Sequence, residues 1–268
     1  MLSVFRNTLW GYRMGLTLTT LGLFGISLLI VYTFEGFGGK EAAEQIEQLF
    51  PDSLKALFKA QGGFASDATG FLAVDYRHPF YFVVTLGFVI ALSSGALAKE
   101  IERGTILVLL TSPLAKWKLL LAKFFVLVIG LIIILAGSWI GTWLGSVLVG
   151  ISDEVNMMAF LRIQLNMLAL GLAVGGYSIF ISARSSDGGQ VTAWATGITV
   201  VMYFLDYLAM LWGAISALGP FSIFYYFDPL QVAKSEAIPW MNVLILLAVS
   251  IFGLIAAVIT FHRRDIAR

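Results

Sequence analysis

KEIERGTILVLLTSPLAKWKLLLAK, residues 99–123, separates two long apolar runs. Charges crowd both ends of this stretch, and four apolar residues (Ile106, Leu107, Leu109, Leu110) lie between them. If the flanking runs cross a bilayer, this segment is the loop that returns the chain to the same side. It is too long and too apolar for a plain turn. Lys99, Glu100, Glu102 and Arg103 form a charged first turn, with Gly104 allowing close backbone approach. The apolar positions then make one short face. Thr111-Ser112-Pro113 should end the helix, because the residue before proline avoids helical geometry. Lys116, Lys118 and Lys123 mark re-entry at an anionic membrane surface.

Composition supports the bilayer. Of 268 residues, 59% are hydrophobic and 12% charged, with a mean hydropathy of +0.90. A soluble domain carries about a quarter of its residues charged, so most of this chain belongs in lipid. The chain has no cysteine, which removes disulfides, thiolate metal sites and thiol nucleophiles. Its first 20 residues do not read as a signal peptide, since the apolar run starts late, continues to Phe34 and lacks a small-residue cleavage site.

A spanning helix needs about 20 mostly apolar residues. Six stretches qualify, at about 16–34, 80–98, 119–149, 158–183, 190–213 and 240–261. With the N-terminus inside, eleven of the 17 Lys and Arg residues fall on the inner side and six on the outer. The bias places both termini in the cytoplasm. Residues 1–13 set Leu2, Phe5, Leu9 and Tyr12 at helical spacing around Arg6 and Arg13, which predicts an amphipathic interfacial helix. Residues 41–60 predict two short amphipathic helices broken at Pro51, resting on the outer surface. Residues 219–239, GPFSIFYYFDPLQVAKSEAIP, predict an aromatic outer element, interfacial or half-inserted. The expected fold is an all-α polytopic membrane protein, 1–268, with one transmembrane domain.

Several residues within these spans are candidates for function. Asp206 is costly in lipid, and Arg162 lies at a compatible depth in the fourth span. A structural Asp206–Arg162 pair, a cavity lining and interfacial exposure all remain open for it. Asn166 and Gln164 could extend the polar patch, most simply as helix–helix hydrogen bonds. Gly137, Gly141 and Gly145, and again Gly171 and Gly175, recur at spacing four. Such ridges serve close helix packing, inside the chain or along a dimer seam. His78 and His262 are too isolated to bind a metal, and no nucleophile–base–acid set stands out. The string GFGGKE at 36–41 lacks the spacing and the Ser/Thr of a nucleotide-binding P-loop.

The pattern Glu100-Ile101-Glu102-Arg103-Gly104-Thr105, followed by an apolar run, Ser112-Pro113 and a basic re-entry, resembles the coupling segment of bacterial ABC-type-2 exporter permeases. The basic N-terminal helix, long first outer loop, six spans, SIFYYFDP segment and terminal Arg263-Arg264-Asp265 resemble that family too. The resemblance implies a permease subunit moving an amphipathic or hydrophobic solute (peptide, antibiotic or lipid-like) across a bacterial or archaeal cytoplasmic membrane. It implies a second permease copy, homodimeric or heterodimeric, and two copies of a cytoplasmic ATP-binding subunit. ATP and Mg would bind that subunit, so this chain is expected to hold no cofactor, to be no enzyme and to contact lipid but no nucleic acid. A short cytoplasmic coupling helix between spans 2 and 3 would use Glu100, Glu102, Arg103, Gly104, Thr105, Leu107 and Leu110 to engage the ATPase. The alternative is an ATP-independent secondary transporter or channel. That class calls for polar groups at mid-membrane, where these spans are nearly bare.

Overall fold

The computed structural model describes residues 2–36, 38–49, 51–57, 59, 67–106, 115–235 and 237–264. Among them every regular element is helical: α1 (Leu2–Gly36), α2 (Gly39–Leu49), α3 (Asp52–Leu57), α4 (Ala68–Asp75), α5 (Pro79–Ser94), α6 (Ala98–Glu102), α7 (Lys116–Val149), α8 (Met157–Arg184), α9 (Gly188–Leu211), two 3-10 segments (Gly213–Phe221 and Ile223–Tyr226), α10 (Pro229–Lys234) and α11 (Trp240–Arg263). Five of these, α1, α7, α8, α9 and α11, are long and apolar enough to cross a bilayer, and α4 with α5, bent by 49°, counts as a sixth if the pair is one span. The chain is therefore a multi-pass membrane protein. Large side chains that would be penalised in water stand exposed around the bundle, among them Trp10, Leu18, Val201 and Phe252. These form the outward apolar faces that hydrocarbon requires.

Two expectations change. The predicted interfacial helix at 1–13 is not a separate element, because α1 runs unbroken for 35 residues. Gly11 and Gly15 weaken a helix only slightly, and no proline interrupts the run. At 1.5 Å per residue α1 is about 50 Å long, more than the roughly 30 Å hydrocarbon core. The second span, expected as one helix over 80–98, is instead broken. Its 16-residue α5 covers about 24 Å, and α4 precedes it at an angle of 49°. Pro79 explains the break. It occupies the first turn of α5, where a missing N–H costs nothing, and His78 caps that turn through its ring nitrogen on Phe80 N at 3.2 Å. Two short helices, α2 and α3, lie on either side of Pro51.

Glycines set the packing. α1 lies along α7, where a Cβ at Gly137 would stand 2.6 Å from Thr20 Cγ2, one at Gly145 2.9 Å from Val31 Cβ, and one at Gly141 would overlap the Phe24 carbonyl. Gly171 and Gly175 face Leu131 and Leu127 of α7 at 2.9 and 2.7 Å. The spacing-four glycines thus serve packing within the chain. Gly176, absent from that ridge, makes another close crossing: a Cβ there would lie 2.6 Å from Ser250 O of α11, and one on Gly253 would lie 2.5 Å from Gly176 C. The central helix of the bundle is α8, with Phe160, Ile163, Met167, Leu170 and Ile179 all fully buried. Gln164 ties four helices together. Its Oε1 accepts from Tyr81 OH at 3.0 Å, its Nε2 donates to Ser138 Oγ at 3.2 Å, and Ser138 shares a 2.8 Å bond with Ser27.

Candidate functional site

Two polar constellations occupy opposite ends of the bundle. The first is the turn that follows α5, at residues 97–106. Helix α6 begins where α5 ends, and Ser182 Oγ of α8 accepts from both Leu97 N (3.2 Å) and Ala98 N (3.1 Å). Those two N–H groups belong to the four that any helix start leaves without intrahelical partners. Helix α6 stops after Glu102, and the chain is helical again at Ile106; the predicted end near Thr111 lies outside the described residues. Arg103 caps α6, and Gly104 takes φ +71, a left-handed conformation that favours glycine. Leu107, Leu110 and the Thr111-Ser112-Pro113 stop lie outside the described residues.

Each acid in the E-x-E-x-G-T pattern has a partner inside the chain. Glu100 Oε1 accepts from Lys123 Nζ at 2.7 Å, a residue of α7 that is itself buried. The Thr105 hydroxyl donates to the Glu100 carboxylate and, at 3.2 Å, to the Glu100 carbonyl. Burial alone would raise the Glu100 pKa; the hydrogen bonds from Lys123 and Thr105, with the charges of Lys123 and Arg103, outweigh it and hold the carboxyl below its usual range. Glu102 Oε2 accepts from Gly188 N at 3.0 Å. That N–H opens α9, where the helix dipole also favours a negative charge. Glycine fits there because a Cβ on Gly188 would overlap the Lys99 stem. Arg103, Gly104 and Thr105 stay exposed. The turn is therefore clamped to α7, α8 and α9 while presenting a charged outer edge.

Neighbouring ends are knitted to the same platform. Asp187 caps α9, accepting from Gly189 N and Gln190 N at 2.6 and 3.1 Å. Arg264 places its guanidinium on the C-terminal carbonyls of α8, donating to Ala183 O at 3.0 Å and Ser185 O at 2.8 Å. A cation at this helix end complements the dipole. Lys116 in turn donates to Arg264 O at 3.1 Å.

The second constellation centres on Asp206, which is fully buried in α9. Its partners are not Arg162 but Arg77 and Lys59: Arg77 Nη2 bonds Oδ2, and Lys59 Nζ lies 3.4 Å from Oδ1. The expected Arg162 pairing is thus displaced by two cations brought in from the outer segment and the α4–α5 bend. Both cations also hold backbone carbonyls of the aromatic segment. Lys59 donates to Phe224 O at 2.9 Å and Tyr225 O at 3.0 Å, and Arg77 donates to Phe227 O at 2.8 Å. A 3-10 turn leaves such carbonyls short of partners, and the buried cations supply them. Burial pushes the Lys59 amine down to about 8, with Arg77 adding to the shift and Asp206 and Asp228 opposing it. Phe82, Phe224, Phe227 and Tyr203 pack edge to face around the cluster.

Arg162 sits elsewhere, in the wall of a groove between α7 and α8. Asn166 is fully buried, and its amide atoms have no hydrogen-bond partner among the described residues. The roles of Arg77 and Lys59 were missed because both read as surface charges of an outer loop. The available signal was that a carboxylate in a span needs a cation; sequence depth alone could not choose among Lys59, Arg77 and Arg162. Among the described residues no cluster of His, Cys, Asp or Glu could hold a metal ion.

A family model described as "ABC-2 family transporter protein" matches residues 13–266. No curated protein matches the chain.

Proposed function

The chain belongs to the ABC-2 family of transporter proteins, and from that premise we propose that it is the permease subunit of an ATP-driven exporter whose 98–105 turn receives force from a cytoplasmic ATP-binding subunit. The observation that carries the proposal is the double clamp on that turn. Through Glu100 on Lys123 and Glu102 on the Gly188 amide, a displacement of the turn reaches the ends of α7 and α9 together. A partner that engaged the exposed Arg103 edge would thus move packed helices as rigid bodies. Leu107 and Leu110 would supply the apolar part of the contact, with charges at the rim setting register.

In this reading two permease copies and two ATP-binding subunits make the working assembly, with ATP and Mg held by the latter. Both termini and the 98–118 segment face the cytoplasm, in keeping with the excess of Lys and Arg there. The cargo is an amphipathic or hydrophobic solute (peptide, antibiotic or lipid-like). Against an ion-coupled carrier stands the fact that the buried charged cluster around Asp206 is spent on internal partners.

The test is co-purification with the ATP-binding subunit, then ATP hydrolysis and transport in vesicles. Leu107→Asp should reduce assembly by two or more decades, the equivalent of about 3 kcal/mol. Glu102→Ala should leave ATP hydrolysis in place while transport falls, because the turn is then released from α9. A Leu107→Asp protein that assembles and transports like the parent would reduce the turn to a connector and overturn the reading.

A further inference from the structure

A further cavity lies away from both constellations. It is a groove of about 640 Å³ between α7 and α8, closed at one end by Ile238 before α11. Ile132, Leu135 and Ala136 of α7 face Leu161, Leu165 and Leu168 of α8 across it. This volume is within the range of small-ligand sites, roughly 300–1,000 Å³. From Leu161 to Leu168 the α8 wall runs about 10 Å, and the α7 wall from Ile132 to Ile140 about 12 Å. The mouth of the groove merges with residues exposed on the lipid-facing side, such as Ile132, Ile140 and Met158. A site that opens onto hydrocarbon fills with lipid rather than water.

Polar groups in the wall are mostly committed elsewhere. The Gln164 amide is taken by Tyr81 and Ser138, and Trp139 Nε1 donates to Met157 O at 3.2 Å. The charged lining residue is Arg162, about 9 Å along α8 from its Asn156 cap. A guanidinium has five donors, so it can serve a ligand anion beside any other acceptor. A cation set in an apolar wall also matches the plan of an anionic amphiphile, with charge at one level and hydrocarbon below it.

We propose that this groove binds one acyl chain of an anionic membrane phospholipid, with the phosphate held by Arg162 and the chain running between α7 and α8 towards Leu168 and Ile132. The bound lipid is a resident of the fold at the α8 N-terminal end of the bilayer, separate from whatever is transported. The proposal rests only on the chain's being membrane-embedded, and its test needs neither ATP nor a partner subunit. Its failure would therefore leave the exporter reading standing, and the reverse holds as well.

The experiment is native mass spectrometry of the purified chain in detergent, supplied with equal phosphatidylglycerol and phosphatidylcholine. The parent should retain one phosphatidylglycerol per chain with a preference of roughly tenfold, as one charge-assisted contact would provide. Ala136→Trp fills the groove from an exposed position and should cut retention of both lipids at least tenfold. Ile133→Trp, also exposed on α7 but outside the groove, should retain lipid like the parent and controls for added bulk. Arg162→Gln should retain lipid without preference, and Arg162→Lys should keep part of the preference. Equal retention of the two lipids by the parent, unchanged retention in Ala136→Trp, or equal loss in both tryptophan variants would each overturn the proposal.

Discussion

The two ends of this bundle use charge in opposite ways. Around Asp206, two cations and a carboxylate are sealed among aromatic rings, and both cations also fix backbone carbonyls of another element. At the 98–105 turn, Glu100 and Glu102 each make one directed contact inward, while Arg103 and the turn's edge stay open. Buried ionic clusters are poor sources of net stability, yet removing one member is expensive because the others are left unpaired and desolvated. Partly exposed pairs cost little to break. The difference separates a part of the molecule that must not move from a part that can transmit movement.

Arg77→Ala is the most severe test of that contrast. It should cost about 3–5 kcal/mol, since Asp206 is left against Lys59 alone and the Phe227 carbonyl loses the closer of its two donors. A thermal unfolding scan in detergent would show it, and an Arg77→Ala, Asp206→Asn double variant should recover part of the loss. A melting point unchanged in Arg77→Ala would mean that the cluster is not a lock. Gly176→Leu comes next. Its side chain must enter the α8–α11 crossing at Ser250 and Gly253, so overpacking of about 1–3 kcal/mol is expected. Gly197→Leu, with open space at its Cβ, should cost far less in the same assay.

The smallest effect belongs to the turn. Glu100 has a folded pKa below its ordinary 4.5, so its contribution is complete at neutral pH and is lost as pH falls from about 4.5 through the folded value. Partial exposure limits this to about 1 kcal/mol or less. Glu100→Gln should flatten that acid-side slope with little change in melting at pH 7. If Glu100→Gln instead melted as badly as Arg77→Ala, the two ends would not differ in kind.

Most of the architecture was legible because it is written in long apolar runs. The third to sixth spans were placed within a few residues at both ends, since α7, α8, α9 and α11 are bounded by charge, caps or turn residues. Spacing-four glycines pointed to close packing, and α7 uses all three of its set against α1. The break in the second span was harder to see. ATGFLAVD is too short to register as a span, and Pro79 reads equally well as a helix start after a loop. The Asp206 partners were hidden for a different reason. Lys59 and Arg77 are separated from it by a long stretch of chain, and a charge in an outer loop carries no mark of burial. The E-x-E-x-G-T pattern suggested an interaction surface, but the inward contacts of its two acids depend on where α7 and α9 begin, which only the fold supplies.

The broken second span has a consequence for how the chain is made. The 16 residues of α5 alone fall short of the bilayer, and the segment that completes it ends next to Arg77. The carboxylate that neutralises Arg77 lies 129 residues later. At about 5–20 residues per second, synthesis needs on the order of ten seconds to reach it. During that interval the bend between α4 and α5 carries Arg77 without the carboxylate it meets in the finished fold. The ion pair that fixes this bend is therefore made only after most of α9 has been synthesised.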